Sequence, residues 1–300
     1  GSIDASGHYT APGLIGTYHV RAALLDDPNV ATTVAVTVVY SKIAVLAGAP
    51  GGQGAVDGTG TNARFGGGEG LLAIDSSGNV YLPDRSNQTL RMITPAGAVT
   101  TIVGQVGRTP PMPDPNSQLL NDPIGAAVNA AGTTVYLTEC GNHAVSQVVY
   151  DPIAMTWTRK VIAGQPGVPG HADGSIGLNA LLNCPVGVAL DEANAALYVA
   201  EFGEHDIRKI ALSGTHAIST VVGVPGTCGA QDSDSASDPP TFCNPYGLAD
   251  DGSQSVGSTT LFVADSNNAT VRKIVLANPL TGTTTIAGTA GSRGTSATQL

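Results

Sequence analysis

The chain has 300 residues, 42% of them hydrophobic, which is enough for a real core in one large or two smaller domains. Only 12% are charged, and 13 basic against 23 acidic residues leave a formal net charge of -10, a surface that repels nucleic-acid phosphates. No apolar window approaches the roughly 18 residues that a bilayer span needs. Thirty-nine glycines and nineteen prolines, against four Phe and one Trp, describe many turns and short strands rather than long helices.

From the N-terminus, TYHVRAAL at Thr17 and VAVTVV at Val34 alternate as strands do, with the turn segment Asp26 to Asn29 between them. The order IDASGHYTAP, GTYHVRA, DDPN, VAVTVV resembles the C-terminal half of a bacterial immunoglobulin-like domain, which implies a partial β-sandwich over residues 1–40. Forty residues cannot bury two sheet faces alone, so the first strands of such a domain are expected to precede this sequence.

From Ile43 a different period takes over. A closing run recurs as IAVLAG, VTTIVG, KVIAG, STVVG and TTIAG, ending at Gly48, Gly104, Gly164, Gly223 and Gly288, with successive spacings of 56, 60, 59 and 65 residues. Between the closing runs, four units repeat one order. An apolar run leads to a turn, then to VYLPD, VYLTE, LYVAE or LFVAD ending in Asp84, Glu139, Glu201 or Asp265. A polar turn follows, then LRMI, VSQVV, IRKI or VRKI. Each unit reads as four short strands. Arg91, Arg208 and Arg272 share one position, at which the second unit has Ser146. The excess length lies in Gly, Pro and Asp-rich insertions after each closing run, where loops absorb it cheaply.

DSSGNVYLPDRSNQTLRMITPAGAVTTIVG, with VDGTGTNARF before it, and ADGSIGLNALLNCPVGVALD with EHDIRKI resemble NHL repeats. The likeness covers about Ile43 to Gly288, with departures in the second unit at Ser146 and at PPMPDPNS. It implies an all-β propeller of four-stranded blades over residues 41–300, with blades at about 49–104, 105–164, 165–223 and 224–288. Such rings commonly have six blades, so two more are expected beyond the four present. The isolated run at Ile43 would then be a closing strand that joins the two ends.

The cysteines, Cys140, Cys184, Cys228 and Cys243, form no CxxC pair, which excludes zinc-ribbon and thioredoxin-type readings. Of three pairings, the repeat register favours Cys140 with Cys184, in turns at the same end of neighbouring blades, and Cys228 with Cys243, within one insertion. Paired cysteines imply an oxidising compartment. His143 and His205 share a repeat position four residues after Glu139 and Glu201, so these four could hold a metal. The favoured reading is turn structure, since Gln88 and Ala269 fill that position elsewhere. The acids Asp84, Glu139, Glu201 and Asp265 could ring a channel and hold zinc or calcium, but pairing with Arg91, Arg208 and Arg272 and with turn N–H groups explains their recurrence. Asp57, Asp173, Asp232 and Asp234 read as turn formers. NQT at Asn87 and NAT at Asn268 are sequons in equivalent turns.

HExxH, GxSxG and GK-loop signatures are absent from the sequence. The expected protein is therefore a non-enzymatic extracellular or cell-surface binding protein, without cofactor, whose propeller loops meet a protein or carbohydrate. Two alternatives stand beside it. One is a propeller lyase or lactonase with an axial metal, and the other a self-assembling component of a surface layer or filament.

Overall fold

A computed structural model describes residues 2–3, 9–10, 16–23 and 31–38, and residues 44–292 apart from 68–69, 111–113, 234–237, 253–255 and 278–280. The chain divides into two compact units, Gly1–Val45 and Leu46–Leu300. In the first, strands Gly16–Ala23 and Ala31–Val38 pair antiparallel with Gly16 opposite Val38, giving the expected hairpin, and Ser2–Ile3 pairs with Tyr9–Thr10. The remainder of the immunoglobulin-like reading lies outside the described residues.

The second unit is a propeller of four antiparallel blades. The inner strands are Ala73–Ile74, Pro123–Val128, Pro185–Asp191 and Pro245–Asp250. The second strands, Val80–Asp84, Thr134–Glu139, Ala196–Glu201 and Ser258–Asp265, end on the recurring acids. Third strands begin at Thr89, Ala144, Asp206 and Thr270, and fourth strands end at Gly104, Ala163, Gly223 and Ala287. Blade 1 gains a fifth edge strand, Gly58–Thr59, from its insertion. In every blade the fourth strand carries one extra residue beside the recurring Arg or Ser146, a bulge that bends the fourth strand.

The core lies between blades, because both faces of a middle blade are covered. Tyr81, Leu90, Val135 and Leu137 pack between blades 1 and 2. Leu182, Val188, Val199 and Ile210 continue the core toward blade 2, and Tyr198, Phe242, Leu261 and Val263 continue it toward blade 4. Each such aliphatic side chain contributes about 1.5–3 kcal/mol of burial free energy. Inner strands approach so closely that only glycine fits: a Cβ on Gly125 would lie 2.1 Å from the Val186 carbonyl oxygen, and one on Gly187 would lie 2.3 Å from that of Tyr246. The equivalent Gly247 of blade 4 would meet only the Ala264 methyl, at 3.5 Å. A cavity of about 490 Å³, lined by Leu71 and Leu72 of blade 1 and by Leu248 and Phe262 of blade 4, separates these two blades.

The expected closing strand at Ile43 belongs to the last blade of a six-bladed ring, beyond the four described blades. Ile43 lies outside the described residues, and Ala44 to Gly48 have no strand structure. Blade 4 takes its fourth strand, Thr281–Ala287, from its own repeat. Gly48 instead donates its N–H to the Gly60 carbonyl, as Gly164 does to Gly177 at the junction of blades 2 and 3.

Candidate functional site

The four recurring acids are buried inside their own blades and do not share a channel mouth. Each accepts the backbone N–H of the residue leading into its blade's first strand: Gly66 to Asp84 (2.9 Å), Asn121 to Glu139 (3.1 Å), Asn183 to Glu201 (2.5 Å) and Cys243 to Asp265 (2.7 Å). Each also pairs with a buried guanidinium. Arg91 reaches Asp84 at 3.0 Å, Arg208 reaches Glu201 at 2.5 Å and Arg272 reaches Asp265 at 2.9 Å. The same three arginines clasp the insertion aspartates Asp57, Asp173 and Asp232. Those aspartates accept, in turn, the N–H groups of Thr101, Thr220 and Thr285 on the fourth strands. One acid–arginine–aspartate knot thus ties insertion, lead-in and sheet together. Asp234 lies outside the described residues.

Blade 2 keeps the knot by another route. Ser146 donates to Glu139 at 2.5 Å, and Arg159, on the fourth strand, supplies the missing guanidinium at 2.5 Å with both side chains fully buried. Sequence reasoning missed Arg159; the unmatched Glu139 was the signal that a cation had to come from elsewhere in the blade.

His143 and His205 do not converge on a metal. Both occupy left-handed turn positions, as Gln88 and Ala269 do. Gln88 Oε1 accepts the N–H of Asp122, His143 Nδ1 that of Cys184, and His205 Nδ1 that of Asn244. Each is a latch from one blade onto the next. Ala269, in blade 4, has no acceptor to offer. Disulfides join Cys140 to Cys184, between blades 2 and 3, and Cys228 to Cys243, within one insertion, with separations of 44 and 15 residues. In the chain-entropy account these closures contribute about 4 and 3 kcal/mol. The amides of Asn87 and Asn268 are buried and donate to Asp84 and Asp265, so neither sequon is open to glycosylation in the folded protein.

At the opposite end of the inner strands all four blades contribute to a cleft of about 420 Å³ on the axis. Ile74, Val128 and Leu190 give it an apolar lining, and Asp75, Glu192 and Asp250 an acidic one. Burial raises the Asp75 carboxyl, but donors on Asn79, Tyr81 and Ser77 outweigh this and hold it below the usual carboxylate range. Glu192 is partly engaged through the N–H of Ala130. Burial, with Asp191 and Asp251 nearby, pushes Asp250 up. No histidine lines this cleft among the described residues. The sequence points to the insertions for recognition; the cleft lies instead at the hairpins that begin DSSGN, NAAG, DEAN and DDGS, whose acids carry no motif that singles them out.

No protein-family model matches the sequence, and no curated protein does. Solved structures do match. An auxiliary nutrient binding protein from Bacteroides thetaiotaomicron aligns with a TM-score of 0.51 at 18% identity, over 66% of this chain and 45% of that one. One from Bacteroides ovatus gives 0.53 at 19%, over 68% and 47%. A protein of unknown function from B. thetaiotaomicron gives 0.52 at 19%, over 72% and 47%. The chain spans about half the length of each. At this identity the likeness establishes the propeller fold.

Two outcomes follow. Removing one partner of a buried pair strands the other charge, so Arg159→Ala and Arg91→Ala should each destabilise by about 3–5 kcal/mol, read from denaturant melts; a loss below about 1 kcal/mol would contradict the knot. Burial lowers the His143 pKa below its ordinary 6.5. The unfolded chain therefore binds this proton more readily, and stability is full above 6.5 and falls as the pH drops through that value. His143→Gln keeps an acceptor, as Gln88 does in blade 1, and should flatten the melting temperature between pH 7 and 5 relative to the parent protein.

Proposed function

We propose that this is a non-enzymatic binding protein of the cell exterior, with a small, polar or cationic ligand held in the axial cleft and the insertions free to meet a protein or carbohydrate. The observation that carries the reading is the cleft itself. Four independently braced blades meet there on a mixed apolar and acidic lining, the arrangement expected of a preformed small-molecule site. Asp250, which lines the cleft from blade 4, is the group we assign to the ligand's donors.

Two further observations support the reading. Structural neighbours are named as auxiliary nutrient binding proteins. Two disulfides and no free cysteine suit an oxidising, extracellular setting. No described helix is long and apolar enough to cross a membrane. The same reading includes an immunoglobulin-like spacer over residues 1–40. It also includes further blades seated against blade 4, in keeping with the uncovered Gly247 and the latch position filled by Ala269.

Thermal-shift and calorimetric titration of the whole chain with amino sugars, diamines and neutral oligosaccharides should yield a binder. Leu190→Trp, which fills the cleft from its apolar side, should weaken that binder at least tenfold without lowering the melting temperature by more than a few degrees. A panel without a binder, or one whose binder is indifferent to Leu190→Trp, would overturn the axial assignment.

A further inference from the structure

Blade 3 departs from its siblings at three places, and all three departures meet at one point. The first residue of each third strand pairs directly with the recurring acid. Thr89, Ala144 and Thr270 do so in blades 1, 2 and 4, whereas blade 3 puts Asp206 opposite Glu201. Asn87, Asn142 and Asn268 donate a side-chain N–H to the acid in the other blades. Blade 3 has Glu204 there, which cannot donate as a carboxylate. Two residues before the insertion aspartate, Ala55 and Ala230 in blades 1 and 4 give way to His171.

The electrostatic result is unlike that of any other blade. Blades 1 and 4 set two carboxylates against one guanidinium, and blade 2 sets Glu139 against Arg159. Blade 3 sets four, Glu201, Glu204, Asp206 and Asp173, against Arg208 alone, two carboxylates more than blades 1 and 4. Glu201 and Asp206 are both wholly buried. The Arg208 guanidinium donates to Glu201 and Asp173. The Oδ1 atom of Asp206 is buried with no hydrogen-bond partner, while Oδ2 lies 3.0 Å from His171 Nε2. A buried carboxylate oxygen without a donor is costly unless something positive reaches it. The His171 ring is half-buried, and its Nε2 faces both Asp206 Oδ2 and the Thr220 hydroxyl.

We propose that blade 3 binds one divalent cation of the zinc class through His171 Nε2, Glu201 and Asp206. One ligand atom from each lies within 4.8 Å of the other two. Tetrahedral zinc with ligands at about 2.1 Å sets them roughly 3.4 Å apart, so a contraction of at most about 1.4 Å closes the site. One imidazole and two carboxylates are a borderline-hard donor set, suited to zinc and open to manganese or cobalt. The fourth position opens along the half-buried His171 face, where a water or the Thr220 hydroxyl, 3.0 Å from Nε2, can complete it. Arg208 remains with Asp173 and the outer lone pairs of Glu201. The ion sits inside one blade, at the insertion end, and is distinct from the axial cleft and from the pair of turn histidines.

The test uses the whole chain stripped with chelator and dialysed, then titrated with zinc chloride by calorimetry and with cobalt chloride by visible absorption. One zinc per chain is expected, with a cobalt d–d spectrum. His171→Ala and Asp206→Thr should each lose at least tenfold in affinity and abolish the cobalt signal. Thr at position 206 recreates what blades 1 and 4 already contain, so Asp206→Thr should fold with an unchanged circular dichroism spectrum. Absence of zinc binding by the parent chain, or binding whose stoichiometry and affinity survive Asp206→Thr, would overturn the proposal.

Discussion

A carboxylate buried at the end of the second strand, in every blade, is the constraint on which the rest of the propeller depends. Taking such a group out of water is costly, and the cost is met only when its oxygens are saturated. Saturation comes from three directions at once: an N–H of the lead-in to the first strand, an arginine from the third strand or, in blade 2, the fourth, and, in three blades, an asparagine of the tight turn. Because those donors belong to different segments, satisfying one acid fixes where the insertion, the turn and the inner strand lie. The third-strand arginine reaches the acid by strand alternation, since it follows by two residues the position that pairs with the acid.

The blades then associate through contacts that the knot positions. Left-handed turn residues present Gln88, His143 and His205 to the N–H groups of the next blade, and the Cys140–Cys184 bridge reinforces one of these joints. Inner strands close to a distance that only glycine permits at Gly125 and Gly187. The axial cleft is a consequence of this spacing: four inner strands end around it, and no single blade could form it. Rigidity at the insertion end thus shapes a site at the other end.

The four-strand repeat, its acids and its arginines were legible in the sequence because they recur, and recurrence separates framework from local accident. What does not recur was harder to read. Arg159 replaces the missing arginine from a different strand, so no position-by-position comparison finds it. The run at Ile43 carries the closing motif, yet a strand needs a partner edge that its own letters do not specify. Asp75, Glu192 and Asp250 look like ordinary turn acids until four hairpins meet on an axis. His171 and Asp206 lie 35 residues apart, and neither residue type recurs at its position in the other blades. In this chain the repeated positions build the scaffold, and the departures from repetition carry the candidate chemistry.

Native-state hydrogen exchange at the amides of Gly66, Asn121, Asn183 and Cys243 tests the knot most directly, since each donates to a recurring acid from a segment outside the strands. The account predicts protection close to that of the second-strand amides, and faster exchange at Gly66, with the other three unchanged, in Asp84→Asn. Exchange of all four at the rate of neighbouring loop amides in the parent protein would contradict it.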